Sequence, residues 1–334
     1  MNITEKYKVK ELQLIFHCYI DTVMCSAGVA MSILSLIVLF NSKFKENLYN
    51  YIRMEVINSG LSLFLLSFRS FLYCRNTLLN SYLAYSTYII SRYMRFVFEM
   101  NSIIYGILSS ICFYSMLSNK NNLLSKYSYK IICLIVCFID SLLFLFMLFE
   151  YDIVAYDLKY NNDNSTRVLY YQKESEFVKT KLHDVFRYGS FFLQNYVLGF
   201  SIFIINIAIF IKIKKLMKNK KSIQTTSGNS SSIQRTERSI KMMLYVNSAN
   251  TIIFRIPRMI YFVFNDVLRK NIFDNSIYEY STLILYLFIS FSITIKFILF
   301  YLTNILFRTV FNQMIKRIFL MNFKNNTVNV NSDT

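Results

Sequence analysis

The sequence predicts an all-α membrane protein, a seven-transmembrane helix bundle followed by an amphipathic surface helix. Three observations carry that prediction. Of the 334 residues, 54% are hydrophobic and the mean hydropathy is +0.37, too apolar for an ordinary soluble domain. Proline and glycine are scarce, one and six respectively, so long uninterrupted helices form easily and sheet-and-turn folds are disfavoured. Apolar runs of about 20 residues, the length that crosses a bilayer as a helix, recur along the whole chain.

The predicted spans are Phe16–Phe40, Tyr49–Leu72, Ser86–Leu117, Tyr129–Phe149, Tyr188–Ile211, Ile240–Phe264 and Tyr278–Leu302. A helix satisfies its own backbone hydrogen bonds, as lipid requires. The third run exceeds what a bilayer needs, so it tilts or projects. Short connections at Asn41–Leu48 and Ser118–Ser128 make the helices they join antiparallel neighbours. Glu150–Arg187 is a longer loop rich in Tyr, Asn and Asp, and Ser222–Thr236 reads as a flexible hydroxyl-rich linker. After Leu302, Ile305, Leu306, Thr309, Val310, Ile315, Ile318 and Phe319 fall mostly on one helical face, with Arg308, Lys316 and Arg317 placed for lipid headgroups. That is the pattern of an interfacial helix over about 305–320. One domain, 1–320, is therefore expected, with a polar, disordered cytoplasmic tail over 321–334.

Charge sets the expected orientation. The first fifteen residues are polar with no small-residue cleavage site, so no signal peptide is predicted. With the N-terminus outside, the inner segments carry 16 Lys/Arg against 12 outside, and the acids divide 3 inside to 11 outside. Eight of the inner cations fall between Lys212 and Arg238. The formal net charge of +18 then reads as a cytoplasmic surface facing membrane lipid rather than as a nucleic-acid footprint. Sequons at Asn2 and Asn164 fall on the outer side and predict glycosylation there. Those at Asn229 and Asn325 fall inside, so sequons alone do not fix the orientation. A multi-pass plasma-membrane protein with an extracellular N-terminus is the expectation.

Catalytic chemistry finds no foothold. The sequence holds no nucleophile–base pattern and no phosphate loop. Its two histidines, His17 and His183, have no cysteine or carboxylate at ligand spacing, so no enzyme, metal or cofactor is predicted. All six cysteines (Cys18, Cys25, Cys74, Cys112, Cys133 and Cys137) lie in or at the ends of apolar runs, and none lies in the Glu150–Arg187 loop. Cys133 and Cys137, four apart on one helix face, read as small packing residues, and disulfides are not implied. The informative residues are charges inside apolar runs, because each demands a partner or a cavity. Arg92, Arg95 and Glu99 recur at three- and four-residue steps on one face of the third run, and Arg95 and Glu99 stand at i,i+4. Arg255 and Arg258 flank Pro257, which kinks its helix. An Arg at 255 can hold a carboxylate bidentately, from Glu99 or from a ligand. Lys296 reads as snorkelling to the inner interface, and Asp21 and Asp140 as packing or water-cavity residues.

The end of the last run carries a family resemblance. In Ile295-Lys296-Phe297-Ile298-Leu299-Phe300-Tyr301-Leu302-Thr303-Asn304-Ile305-Leu306-Phe307-Arg308, a Phe-Arg follows seven residues after Phe300. This resembles the frame in rhodopsin-like receptors where Asn-Pro-x-x-Tyr precedes a Phe-Arg that opens a membrane-surface helix. Lys296, Phe297 and Phe300 replace the Asn, Pro and Tyr. The Phe254-Arg255-Ile256-Pro257 element resembles the sixth-span proline of divergent invertebrate peptide-type receptors, and Arg255 stands where such receptors commonly carry a pocket-floor Trp. Other family marks are absent: Cys112-Phe113-Tyr114 stands where Asp-Arg-Tyr is usual, Gly60 where a sodium-site Asp is usual, and the usual outer-loop and third-span cysteines are missing. The resemblance implies a G-protein-coupled receptor. An extracellular peptide or small molecule would bind within the bundle at Arg95, Glu99 and Arg255. A heterotrimeric G protein would meet Phe113, Tyr114, Lys214, Lys215, Arg238 and Arg308. The alternatives are a divergent chemosensory receptor, and a transporter or channel subunit lined by Arg95, Glu99, Arg255 and Lys296. No internal repeat and no pair of Gly/Pro-broken spans supports the transporter.

Overall fold

The computed structural model describes residues 16–74, 82–118, 128–159, 166–221 and 290–330, with scattered helical positions between 242 and 288. A π-helical turn at Phe16–Asp21 leads into α1 (Thr22–Leu39), followed by α2 (Asn47–Cys74), α3 (Tyr82–Ser118) and α4 (Tyr129–Phe144). α4 tightens into a 3-10 turn at Leu145–Phe149 and gives way to a hairpin of β1 (Tyr151–Lys159) and β2 (Thr166–Glu174). A second 3-10 turn at Glu176–Lys179 then starts α5 (Lys181–Phe192), which passes through a π turn at Leu193–Val197 into α6 (Leu198–Lys221). The chain closes with α7 (Lys296–Thr303) and α8 (Ile305–Val330).

Four described helical stretches are long and apolar enough to cross a membrane: Cys18–Leu39, Tyr85–Ser118, Tyr129–Phe149 and Lys181–Lys215. A fifth results if Ser290–Thr303 and Ile305–Arg317, bent by 95° against each other, count as one broken span. α2 is not among them. Its 28 residues reach about 42 Å, but they include Arg53, Glu55, Asn58, Ser59, Ser62 and Arg69. It is instead an interior helix: Tyr51, Ile52, Glu55, Val56, Asn58, Ser59, Ser62 and Leu63 are all buried. The predicted span Ile240–Phe264 lies largely outside the described residues. The described residues are largely helical, with four to five candidate membrane spans, compatible with a helical membrane protein.

Close helix approach depends on small residues. At Gly28 of α1 a Cβ would strike the Leu63 side chain and come within 2.6 Å of Thr294 Oγ1. Beside it, the buried Ser59 of α2 and Ser102 of α3 share a hydrogen bond of 2.6 Å. Such pairs replace the hydrophobic driving force that lipid cannot supply between helices.

The end of the bundle near α8 is closed by aromatic packing. Phe44, Phe297, Phe300, Phe307 and Val310 share one buried cluster with Tyr49, Tyr51 and Tyr105. α8 starts at Asn304, which is extended (φ −104°, ψ 105°) and whose side-chain oxygen accepts from Phe307 N at 3.1 Å. This is an N-cap of the strongly preferred residue type. The buried side of α8 holds Phe307 and Val310, with Leu306, Phe311 and Met314 packed against them. Ile305, predicted on the apolar face, is 40% exposed, because Phe307 rather than Ile305 plugs the gap beside Phe297 and Phe300. The helix continues to Val330, past the boundary expected near 320.

The segment Glu150–Arg187, expected as a long loop in an all-α protein, instead holds a β-hairpin and the start of α5. The hairpin register pairs Tyr151 with Glu174, Asp152 with Lys173, and so on to Lys159 with Thr166. Runs rich in Tyr, Val and Ile around Asn161-Asn162-Asp163-Asn164 carry the hairpin signal. It is closed at its root by Ser175, whose N–H donates to Glu150 O at 3.0 Å and whose hydroxyl donates to Phe149 O.

Candidate functional site

Charged side chains are buried at three depths. Nearest the hairpin, Glu150 ends the rod of α4. One carboxylate oxygen meets Arg92 of α3 at 2.9 Å and the other meets His183 Nε2 of α5 at 3.2 Å. Glu150 is 5% exposed and His183 2%. Arg92 also lies over the Tyr151 ring, 5.2 Å from its centroid, and His183 is flanked edge-on by Phe146 and Phe177. One carboxylate thus joins α3, the hairpin root and α5. The His183 N–H of the backbone donates to Thr180 Oγ1 at 3.2 Å, an N-cap that sets the phase of α5 and so aims the imidazole inward.

One turn deeper along α3, Arg95 and Glu99 are 3.9 Å apart and almost fully buried. Spacing i,i+4 puts them on one helix face, as the sequence predicts. The separation is that of an ion pair longer than a hydrogen bond, and Arg95 also lies over the Phe96 ring. Arg255 lies outside the described residues, so the expected meeting of Arg255 with Glu99 has no structural description. Among the described positions before it, Asn250 donates to Ser292 O at 2.9 Å and to its hydroxyl at 3.1 Å.

Toward α8, Lys296 of α7 donates to Glu55 of α2 at 2.7 Å. Both are buried, Lys296 9% and Glu55 3% exposed. Lys296 therefore does not snorkel. A carboxylate within reach neutralises it, and extending four methylenes toward the interface would break that pair. A Cβ on Gly106 of α3 would stand only 3.5 Å from the Glu55 carboxyl carbon, so this acid also lies against α3. Beside Lys296 is a cavity of about 10 Å³ lined by Ser32, Ser35 and Ser59 among others, room for about one water with several polar partners.

Glu55, Glu150 and His183 carry these clusters, and sequence reasoning did not single them out together. Glu55 had a signal, an acid inside the second apolar run. Glu150 and His183 had none, because their partners lie far off in sequence. Asp21 and Asp140 are each 1% exposed, in keeping with interior positions. Cys18 is disulfide-bonded, which corrects the expectation of free thiols throughout. Cys25, Cys112, Cys133 and Cys137 are free. Among the other predicted positions, Phe113 is buried and Tyr114 is 37% exposed, while Lys214, Lys215 and Arg308 are exposed. Arg238, Asn2 and Asn164 fall outside the described residues. Among those described, no group of three or more His, Cys, Asp or Glu is placed to hold a metal ion.

No protein-family model matches this chain, and no curated protein matches it significantly.

Proposed function

We propose that the chain is a seven-span cell-surface receptor. An extracellular peptide or small molecule binds within the bundle, and the α8 end signals to a heterotrimeric G protein. The observation that most supports this reading is the corner after Thr303. The helix bends by 95°, and Phe300 and Phe307, with ring centroids 5.9 Å apart, are both buried in the core of that end. The Phe300-to-Phe307 frame that resembles rhodopsin-like receptors thus coincides with a sharp bend between two helices, which supports reading α8 as a surface helix. The plasma membrane is the proposed location, with the N-terminus outside. Disulfides persist on the oxidising side of a membrane, and Cys18, at the hairpin end of α1, is disulfide-bonded.

The buried charges favour a receptor over a conduit, because Lys296 and Glu55, Arg95 and Glu99, and Arg92 and Glu150 occupy one another. A ligand carboxylate that takes Arg95 bidentately competes with Glu99 for the guanidinium. Only such differential contact shifts a conformational equilibrium. The exposed Tyr114, Lys214, Lys215 and Arg308 lie toward the α8 end, where a G protein docks in this reading.

The test is expression in cells that report second messengers and membrane current together, challenged with fractionated peptide and small-molecule extracts. The expected result is a ligand-dependent second-messenger response, lost in Arg95→Gln, with no accompanying current. A ligand-gated current that persists when G-protein signalling is blocked would replace the receptor with a channel.

A further inference from the structure

We propose that Lys43 and Lys45, in the turn between α1 and α2, join Lys316 and Arg317 of α8 to bind the phosphorylated headgroup of an anionic phospholipid. Lys43 Nζ donates to Gln313 Oε1 at 3.2 Å, bringing the turn onto the helix. Lys316 and Arg317 follow Gln313 by three and four residues and so share its face. Phe44, between the two lysines, is fully buried in the same cluster as Phe307 and Val310, so both lysines are anchored close to α8. All four cations are exposed, and none of them has an ion pair among the described residues. Glu46 is the acid beside them in sequence and is itself exposed.

The position suits a lipid better than a soluble anion. If the predicted Tyr278–Leu302 run spans the membrane, the 95° bend after Thr303 lays α8 nearly parallel to the bilayer plane. Tyr301, whose hydroxyl meets Asn312 Oδ1 at 3.3 Å, fixes that corner. The exposed face then lies at headgroup depth, where basic residues gain from anionic lipid. Four cations on two elements form a cluster rather than a line, which fits a compact headgroup carrying several phosphates. The inference rests on the proposed topology, with α8 on the cytoplasmic side.

The experiment uses the purified full-length chain in nanodiscs. Their lipid is phosphatidylcholine with either phosphatidylinositol bisphosphate or phosphatidylserine at matched total charge, and bound lipid is read by native mass spectrometry. The bisphosphate lipid is expected to be retained selectively. Each neutralisation among Lys43→Gln, Lys45→Gln, Lys316→Gln and Arg317→Gln is expected to weaken retention about fivefold, while Lys130→Gln at the exposed start of α4 leaves it unchanged. Equal retention of both lipids, or wild-type retention by the fourfold variant, would overturn the proposal. So would competition by soluble inositol trisphosphate at the affinity of the lipid itself. A protease-accessibility assay of α8 in intact and opened cells checks the topology separately. A cytoplasmic α8 without lipid retention sinks this inference alone, and an extracellular α8 sinks the topology beneath it.

Discussion

Glu55 and Glu150 are both buried carboxylates neutralised by cations from distant parts of the chain, yet they differ in kind. Glu55 sits deep in the bundle, where Lys296 meets it at 2.7 Å across 241 residues of sequence. Glu150 sits at the hairpin end and divides its oxygens between Arg92, whose side chain is 25% exposed, and the buried His183. The deep contact is a short ion pair between two buried side chains. The shared carboxylate gives graded losses, because one partner remains when the other goes, and solvent reaches Arg92. The deep contact joins α2 to α7, and the Glu150 carboxylate joins α3, the hairpin root and α5.

The largest effect is expected at the deep pair. Lys296→Met takes the cation from a buried carboxylate and should destabilise the protein by about 3–5 kcal/mol. Glu55→Gln alone leaves the ammonium buried against an amide and should cost a similar amount. The double variant, with two neutral side chains of near-native volume, should recover most of the loss. Thermal unfolding of the four detergent-solubilised proteins in one double-mutant cycle decides it. Additive losses would mean that the two residues act separately, and the contrast with Glu150 would disappear.

Next comes the covalent tie at the hairpin end. Cys18→Ser should cost about 2–4 kcal/mol, and a reducing agent should lower the thermal midpoint of the wild type but not of the variant. If reductant leaves the wild type unchanged, the hairpin end is held without a covalent tie, and the Glu150 cluster bears more of its stability than this comparison assigns.

The Glu150 partners should show smaller, unequal losses. His183→Leu removes a buried hydrogen bond to a charged group, about 1.5–3 kcal/mol. Arg92→Gln removes a partner that solvent already screens, about 1 kcal/mol or less. Glu150→Gln should exceed either, since it disturbs both partners at once. Equal losses at Arg92 and His183 would show that exposure does not grade this cluster.

Where the sequence was legible depended on the range of the interaction. Apolar runs are local, so Tyr49–Leu72 fell within two residues of α2 (Asn47–Cys74), and Tyr129–Phe149 coincides with α4 and its 3-10 end. The Arg95–Glu99 pair was legible for the same reason, one helical turn being a fixed distance. Lys296 announced that it needed a partner but not which, since 241 residues separate it from Glu55. The hairpin was missed although its Tyr, Val and Ile runs flank an Asn/Asp cluster, because two strands outside the bundle leave no trace in a search for 20-residue apolar runs. Cys18 was misread because its place at the edge of an apolar run resembles that of a packing residue.

The smallest effect is expected at an exposed pair on the same rim, Glu176 with Lys179, joined at 2.8 Å across the 3-10 turn that precedes α5. The hydrogen bond from Lys179, and then its charge, hold the Glu176 carboxyl below its ordinary value. The reciprocal bond and charge raise Lys179. A depressed carboxyl contributes stability that is present above its unfolded value, about 4.3, and is lost as pH falls through the folded one. A raised ammonium contributes stability that is present below about 10.4 and is lost as pH rises through its folded value. The pair is therefore intact from mildly acid to mildly alkaline pH, and fades in acid first at Glu176. Local amide exchange across Ser175–Leu182 in wild type and Glu176→Gln should differ slightly near neutral pH, and the difference should vanish well below pH 4. Added salt should shrink it as well, because both groups are in water. A difference that survives acid and high salt would place the effect of Glu176 in backbone capping of the turn, and charge at this rim would then count only where it is buried.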